Sequence, residues 1–498
     1  MLPVKLSDSL PQVAYLSETV VDNEARFAAK LSITMQELMN LAGLSAFKLL
    51  QYRYPKAKTI LIIAGSGNNA GDGFVLARCA LAQGYHVYVH AVQPLDQYQG
   101  DAHIACQQFL KQGGSLCKIN DVDFKRVDVI VDALLGTGFR GKVKDTYGYL
   151  INLVNQLDIP ILSLDVPSGV DANCGVKRGS AIVADATVTF VAVKQGLLTG
   201  EASNYCGELY LADLHAGHEL SQELAGDAQV IQPKTLAKLK QRTRACHKGD
   251  TGMLLALGSD ALTPGAIALS SMAALRAGAG YVVIDCHPQN QAIIAGRQAE
   301  FVFTSVVDAT ERDHTLLSKA NAIVIGPGLG IGDFAQLRWH YTLDTDLPLV
   351  VDADALTLLA KQPSRRDNWI LTPHPKEAAR LLSVSVDEVN ADRFSAARAI
   401  SDMYGGICVL KGAGTIVTDG QQVHICPIGN PGMAVAGMGD VLTGIIGALL
   451  LQSSSLIDAA LNAVYIHAHA ADLAARDGEK GLLPSDLYPF IRQLVNQR

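Results

Sequence analysis

Short apolar runs, each closed by a loop rich in glycine, asparagine or aspartate, recur along this chain and constrain its fold most. Residues 59–64 (Thr-Ile-Leu-Ile-Ile-Ala) run into Gly65-Ser-Gly-Asn-Asn-Ala-Gly-Asp-Gly73. Residues 127–132 and 159–165 repeat the pattern and end on Asp132 and Asp165. Such runs fit strands shielded on both faces, and residues 22–30, 35–52 and 74–83 read as covering helices. Strands alternating with helices predict a parallel sheet. Ligands on such sheets sit at the carboxyl ends of the strands, where Asp132, Asp165 and the Asn68–Asn69 pair fall. The pattern restarts near Arg244. Residues 253–257, 281–285, 322–325, 349–352, 369–371, 407–410 and 415–418 read as strands, with helices at 265–277 and 459–475 among those between. Residues 216–243 read as a polar connector with some helix. At 498 residues the chain is too long for one ordinary core. Two α/β domains are expected, at residues 1–225 and 235–498.

Composition narrows the function classes. The net charge is −7 with no basic stripe, which argues against nucleic acid as a partner. The nine cysteines show no Cys-x-x-Cys pair, the pattern of reduced thiols in a cytoplasmic protein. The N-terminus lacks a basic region followed by a long apolar stretch, so no signal peptide is expected. No apolar run reaches the roughly 18 residues of a membrane span. Residues 441–451 come nearest, and they carry Thr443.

In the first block, loop 65–73 follows a strand and precedes a helix, but its spacing is not Gly-x-Gly-x-x-Gly. Asn68, Asn69 and Asp72 make it a polar, ligand-reading loop, although a tight turn alone would look similar. A second loop, Gly136-Thr137-Gly138-Phe139-Arg140-Gly141, suits a phosphate. A third places Asp165 and Ser168 at a strand end. A lone aspartate there is more often a turn or capping residue. Alternatively, Asn69, Asp132 and Ser168 converge as oxygen ligands of a hard cation. Lys194 is ordinarily a solvated lysine. At the end of an apolar strand it could instead pair with Asp165 as an acid/base couple.

The Asn-Asn-x-Gly-Asp-Gly, Asp-x-x-x-Gly-Thr-Gly and Asp-x-Pro-Ser-Gly loops resemble the YjeF N-terminal, NAD(P)H-hydrate epimerase family over residues 15–215. Ala70 stands where that family most often has glycine. The resemblance implies a Rossmann-like three-layer domain. It implies that Asn68, Asn69, Ala70, Gly71, Asp72, Gly136, Thr137, Gly138, Phe139, Arg140, Gly141, Lys142 and Asp165 contact the hydrated dinucleotide. It implies a potassium ion (K+) on Asn69, Asp132 and Ser168. It makes Asp165 the first catalytic candidate and Lys194 the second.

The second block holds the stretch Gly429-Asn-Pro-Gly-Met-Ala-Val-Ala-Gly-Met-Gly-Asp440, which runs into an apolar segment of helical character. A glycine-rich turn feeding a helix N-terminus offers free N–H groups and positive dipole to an anion. An aspartate at its mouth suits taking a proton from a hydroxyl beside a phosphate. Four more strand-end loops accompany it: Gly326-Pro-Gly-Leu-Gly330, Asp352-Ala-Asp354, His374-Pro-Lys-Glu377 and Lys411-Gly412-Ala413-Gly414-Thr415. Each has a bland reading. Gly-Pro-Gly is a common turn, His374 between prolines shapes a loop, and Asp352 with Asp354 caps a helix.

Together these loops resemble the ribokinase-like superfamily and, within it, the ADP-dependent NAD(P)H-hydrate dehydratase family, over residues 235–498. Met438 stands where threonine or serine is commoner. The resemblance implies that Lys411, Gly412, Ala413, Gly414, Thr415 and Gly439 contact an adenine nucleotide. It implies that Ala266, Gly328, His374 and Asp440 contact the substrate, with Asp440 catalytic and a magnesium ion (Mg2+) accompanying ADP. The expected function is repair of hydrated nicotinamide cofactors, NAD(P)HX, by an epimerase fused to a dehydratase in a homo-oligomeric, cytoplasmic enzyme. The alternatives are a small-molecule kinase with a regulatory first block, or a first block that only binds.

Overall fold

The computed structural model describes residues 2–304 and 316–497. It divides into two compact units, Met1–Val230 and Ile231–Arg498.

The strands of the first unit are β1 (Val4–Lys5), β2 (Val13–Ala14), β3 (Thr59–Ala64), β4 (His86–Ala91), β5 (Val129–Ala133), β6 (Ile161–Leu164), β7 (Ala186–Phe190), β8 (Glu208–Ala212) and β9 (Ala228–Val230). Seven of them form one sheet in the order β1-β8-β7-β6-β5-β3-β4, parallel throughout except for β1. β3 is buried along almost its whole length, and its alternation divides two cores. Ile60 and Ile62 join Leu38, Phe47, Phe74 and Phe109. Leu61 and Ile63 join Ile130, Ile151 and Val154. The chain leaves β3 toward β4 and returns on the other side at β5, so a topological switch point lies between β3 and β5. There the loops approach closely: a Cβ on Gly65 would stand 1.8 Å from the Leu134 carbonyl oxygen. The register sets Ile63 against Asp132 and Asp132 against Ser163.

The expected loop at 65–73 is largely helical. Gly67 is the N-cap, and Asn68–Ala82 is a helix, so Asn68, Asn69 and Asp72 ride on its first two turns. Polar residues in that turn read as a loop in sequence, but here their side chains face a cavity while Ala70 and Phe74 face the core. The polar connector likewise contains a helix, Ala216–Glu223, and the strand β9.

The second unit carries β10 (Met253–Leu257), β11 (Tyr281–Asp285), β12 (Val302–Thr304), β13 (Ala322–Ile325), β14 (Leu349–Val351), β15 (Trp369–Leu371), β16 (Ile407–Leu410), β17 (Thr415–Thr418) and β18 (Val423–Cys426). Their order is β12-β11-β10-β13-β14-β15-β16-β17-β18. The first seven in that order run parallel, and β17 and β18 complete an antiparallel meander. Helices Pro264–Arg276 and Met438–Leu450 pack through Ile267, Ala273, Val441 and Ile445. They approach so closely that a Cβ on Gly444 would stand 1.9 Å from the Ser270 carbonyl oxygen. Pairing of Ile325 with Val351 and of Val351 with Leu371 brings Gly326, Asp352 and Thr372 to one carboxyl edge.

Candidate functional site

Each unit gathers its polar residues at the carboxyl edge of its sheet. In the first unit the centre is Asp165, just past β6, in a left-handed backbone conformation (φ 65°) that only a constrained turn holds in a non-glycine residue. Lys194 is 2 % exposed and donates to Asp165 Oδ1 at 2.6 Å. It also donates to the Phe190 carbonyl at 2.8 Å and to Thr189 Oγ1 at 3.1 Å. The Thr137 N–H reaches Asp165 Oδ2 at 3.3 Å. Burial would raise the Asp165 carboxyl, but the Lys194 charge and hydrogen bond outweigh it and hold the group below its usual range.

A cavity of 390 Å³ opens over this pair. Asn68, Asn69, Asp72, Gly136, Thr137, Gly138 and Phe139 line it with Asp165 and Lys194. Not every expected contact residue does so. Ala70 is wholly buried, and a Cβ on Gly71 would strike the Met39 sulfur at 2.6 Å. Arg140 turns away to the start of helix Ser17–Lys30, bonding Ser17 Oγ at 2.9 Å and pairing with Glu18. Gly141 and Lys142 follow it outside the lining.

Asp132 and Ser168 lie behind the Leu134–Leu135 turn whose Leu135 carbonyl takes the Asn69 amide. Asp132 accepts from Ser168 Oγ at 2.5 Å, the Ser168 N–H at 2.9 Å and Ser163 Oγ at 2.8 Å. Burial still raises its carboxyl above the usual range. Asn69 Nδ2 donates to the Leu135 carbonyl at 3.1 Å. Among the described residues, that leaves the buried Asn69 Oδ1 without a hydrogen-bond donor. An orphaned amide oxygen beside a hydroxyl and a buried carboxylate is a donor set for a hard monovalent cation.

In the second unit the hub is Asp352. The capping reading does not hold for it: it occupies the N-cap position of helix Ala353–Lys361, but its side chain makes no capping bond. It accepts instead from Lys411 Nζ at 2.7 Å, Thr372 Oγ1 at 2.8 Å and Thr443 Oγ1 at 2.7 Å. Lys411 Nζ also stands 3.8 Å from Glu377 Oε2. Burial alone would lower the Lys411 ammonium, but Asp352 and Glu377 raise it, so it stays charged. Asp354 accepts the Gly330 N–H at 2.8 Å and so braces the glycine loop.

Gly437 (φ 96°) caps helix Met438–Leu450 in a conformation that favours glycine. The N–H groups of Gly439 and Asp440 head that helix, beyond reach of intrahelical carbonyls. Lys411 Nζ lies 3.3 Å from where a Cβ on Gly439 would stand, so the 411–415 turn and the helix head adjoin. Burial, then the charge of Asp352, pushes the Asp440 carboxyl up to about 7. His374 does serve the backbone, with Nδ1 accepting from the Lys376 N–H at 3.0 Å. Its Nε2 lies 3.5 Å from Glu377 Oε1. Gly328 accepts from Thr263 Oγ1 at 2.7 Å, which ties it to the first turn of the helix bearing Ala266.

Sequence reasoning assigned no role to Glu24, Thr372 or Thr443. Thr443 left a trace, a hydroxyl inside an apolar helix. Glu24 left none, for it reads as an ordinary surface glutamate.

Comparison with known proteins joins the two sites. The family described as YjeF-related protein N-terminus matches residues 35–196, and NAD(P)H-hydrate dehydratase matches 253–493. A bifunctional NAD(P)H-hydrate repair enzyme of Coxiella burnetii is 44% identical over 474 residues, covering 95% of this chain and 97% of that one. The chain belongs to the bifunctional NAD(P)H-hydrate repair enzyme family. Its Escherichia coli relative of the same description is 41% identical over 495 residues, covering 98% of this chain and 95% of that one. A ribokinase-like superfamily protein from Enterococcus faecalis matches with a TM-score of 0.50 at 24% identity, over 55% of this chain and 96% of its own. That likeness bears on fold and agrees with the expected ribokinase-like second unit. Among the described residues, no helix is long and apolar enough to cross a membrane.

Proposed function

We propose that residues 1–225 interconvert R- and S-NAD(P)HX and that residues 235–498 dehydrate S-NAD(P)HX at the expense of ADP, releasing NAD(P)H, AMP and phosphate. The observation that carries this reading is one chain, related end to end to repair enzymes, with a lysine–aspartate pair at each carboxyl edge.

The hydrate carries a hydroxyl on its reduced ring, and hydroxide is a poor leaving group. Phosphoryl transfer to that hydroxyl makes a good one. Asp440, with a carboxyl titrating near neutrality, accepts the hydroxyl proton. The helix head at Gly439, with charged Lys411 beside it, stabilises the moving phosphoryl charge. Lys411, Gly412, Ala413, Gly414, Thr415 and Gly439 hold the nucleotide, and Ala266, Gly328 and His374 hold the hydrate. The oxygens of Asp352 are taken by Lys411, Thr372 and Thr443, so Asp440, with Glu377 beside it, would face a magnesium ion accompanying the nucleotide. Such an ion neutralises phosphate charge.

In the first unit, Asp165 is the ionised base and Lys194 fixes it. Asn69, Asp132 and Ser168 would hold a potassium ion, which would supply positive charge beside the substrate's phosphates. Thirteen backbone and side-chain contacts were inferred from family likeness. The cavity favours Asn68, Asn69, Asp72, Gly136, Thr137, Gly138, Phe139 and Asp165 over the rest.

The test mixes both NADHX epimers with the protein, magnesium, potassium and either ADP or ATP. NADH return and free phosphate are followed together. Full conversion with phosphate release supports both activities and identifies the donor. Conversion of one epimer only sinks the epimerase claim, and a stable phosphorylated product without NADH favours a kinase.

A further inference from the structure

Four carboxyls and one ammonium share the wall of the first unit's cavity. Asp165, Asp72, Glu24 and Asp101 line it with Lys194. An ammonium has three protons to donate. Those of Lys194 go to Asp165 Oδ1, the Phe190 carbonyl and Thr189 Oγ1. The ion pair is therefore complete within the protein, and Lys194 has no proton left to aim at a ligand. Asp165, held ionised by it, can accept a proton but not supply one.

Glu24 and Asp72 differ from that pair. Among the described residues neither makes a hydrogen bond or ion pair. A second and third negative charge beside Asp165, with a single lysine already engaged, is costly in a site screened from water. Both carboxyls are therefore shifted toward their protonated form, and a neutral carboxyl is a proton donor. We propose that Glu24 is the catalytic acid of this cavity, delivering a proton to the hydroxyl of the hydrated ring as it departs. This rests on the epimerase reading of the first unit.

Two observations select Glu24 over Asp72. Asp72 is 9 % exposed and sits on the second turn of a buried helix, where burial first, then Asp165 and Glu24, raise it well above its ordinary range. Its protonated form is therefore strongly favoured. Glu24 comes from the separate helix Ser17–Lys30 and is only half-buried. Burial raises it, Lys194 pulls it down and Asp165 raises it again, leaving it at about 7. A group poised there can both release and recover a proton at neutral pH.

The step balances without a co-reactant. The bond between the carbinol carbon and its oxygen breaks, and the electron pair leaves with the oxygen. That oxygen takes the Glu24 proton and departs as water. The lone pair of the adjacent ring nitrogen forms a C=N bond. Water then adds to the opposite face, the C=N electrons return to nitrogen, the surplus proton passes to the Asp165 carboxylate, and exchange with solvent water restores both carboxyls. No atom changes oxidation state overall, and the product is the other epimer.

The experiment uses the full-length protein and R-NADHX, with S-epimer formation followed chromatographically in the absence of nucleotide. Glu24→Gln is expected to lower kcat by about 100- to 1,000-fold with little change in KM. Wild-type kcat is expected to fall as pH rises through about 7, where Glu24 loses its proton. That alkaline limb disappears in Glu24→Gln and returns in Glu24→Asp. Nucleotide-dependent conversion of the S epimer by the same preparations stays unchanged. The proposal is overturned if Glu24→Gln keeps kcat within about three-fold, or keeps the alkaline limb. A wild-type profile without that limb overturns it too, even if the variant fails to fold. A wild type that forms no S epimer at all sinks the epimerase reading itself.

Discussion

Both units bury a lysine against an aspartate at a carboxyl edge, yet the two pairs do different work. Lys194 is closed on itself, with Asp165, Thr189 and Phe190 taking all three protons. Lys411 is shared, reaching Asp352 at 2.7 Å and Glu377 at 3.8 Å while adjoining the glycine-headed helix. The first arrangement fixes one ionised carboxylate amid neutral ones, which suits moving protons. The second leaves positive charge facing a helix N-terminus, which suits holding an anion. A shared motif of lysine and aspartate therefore says little until the remaining protons are followed.

The largest effects come from removing the ionised oxygen of each site. Asp165→Asn is expected to slow epimerisation by about 1,000-fold while leaving dehydration of the S epimer intact. Asp440→Asn is expected to do the reverse. Assays of each reaction on both variants check this crossover. Loss of both activities in either variant would break the division of labour between the units.

Next come the lysines. Lys411→Met leaves Asp352 buried with two hydroxyls and no cation. Breaking a buried pair from one side costs about 3–5 kcal/mol. The same holds for Lys194→Met and Asp165. Denaturant unfolding of each variant measures the cost. A cost below about 1 kcal/mol at either site would mean that its aspartate takes up a proton readily, contrary to the charged pair described here.

The fold was more legible in the sequence than the sites were. Apolar runs closed by glycine loops announced most parallel strands, because a strand buried on both faces has little freedom of composition. The Asn68–Asp72 segment reads as a loop in sequence, since polar residues on a helix that faces a cavity break the usual amphipathic pattern. Asp352 was legible as a strand-end aspartate, but its partners Thr372, Lys411 and Thr443 lie 20 to 91 residues away. Glu24 could not be singled out, because its neighbours in the cavity lie on other elements. Pattern reading captures what is periodic or local. Charge partners assembled by the sheet are neither.

The comparison also predicts opposite pH responses. Asp440 must be ionised to accept a proton, and its carboxyl is raised to about 7, so dehydration is lost as pH falls through about 7. Epimerisation, through Glu24, is lost as pH rises through the same region. Rates change about tenfold per pH unit beyond each limb. Parallel limbs in the two reactions would remove the distinction between a site that takes a proton and a site that gives one.

The smallest effect sharpens the second site alone. Thr443 donates to Asp352 Oδ2 at 2.7 Å from inside an apolar helix. Thr443→Val keeps the shape and deletes that donor. A hydrogen bond to a charged group contributes about 1.5–3 kcal/mol, and unfolding of the variant should show a loss of that size. Lys411 and Thr372 still hold Asp352 Oδ1, so dehydration should slow by less than about tenfold. An unchanged unfolding midpoint would show that Lys411 and Thr372 suffice to hold Asp352 without Thr443.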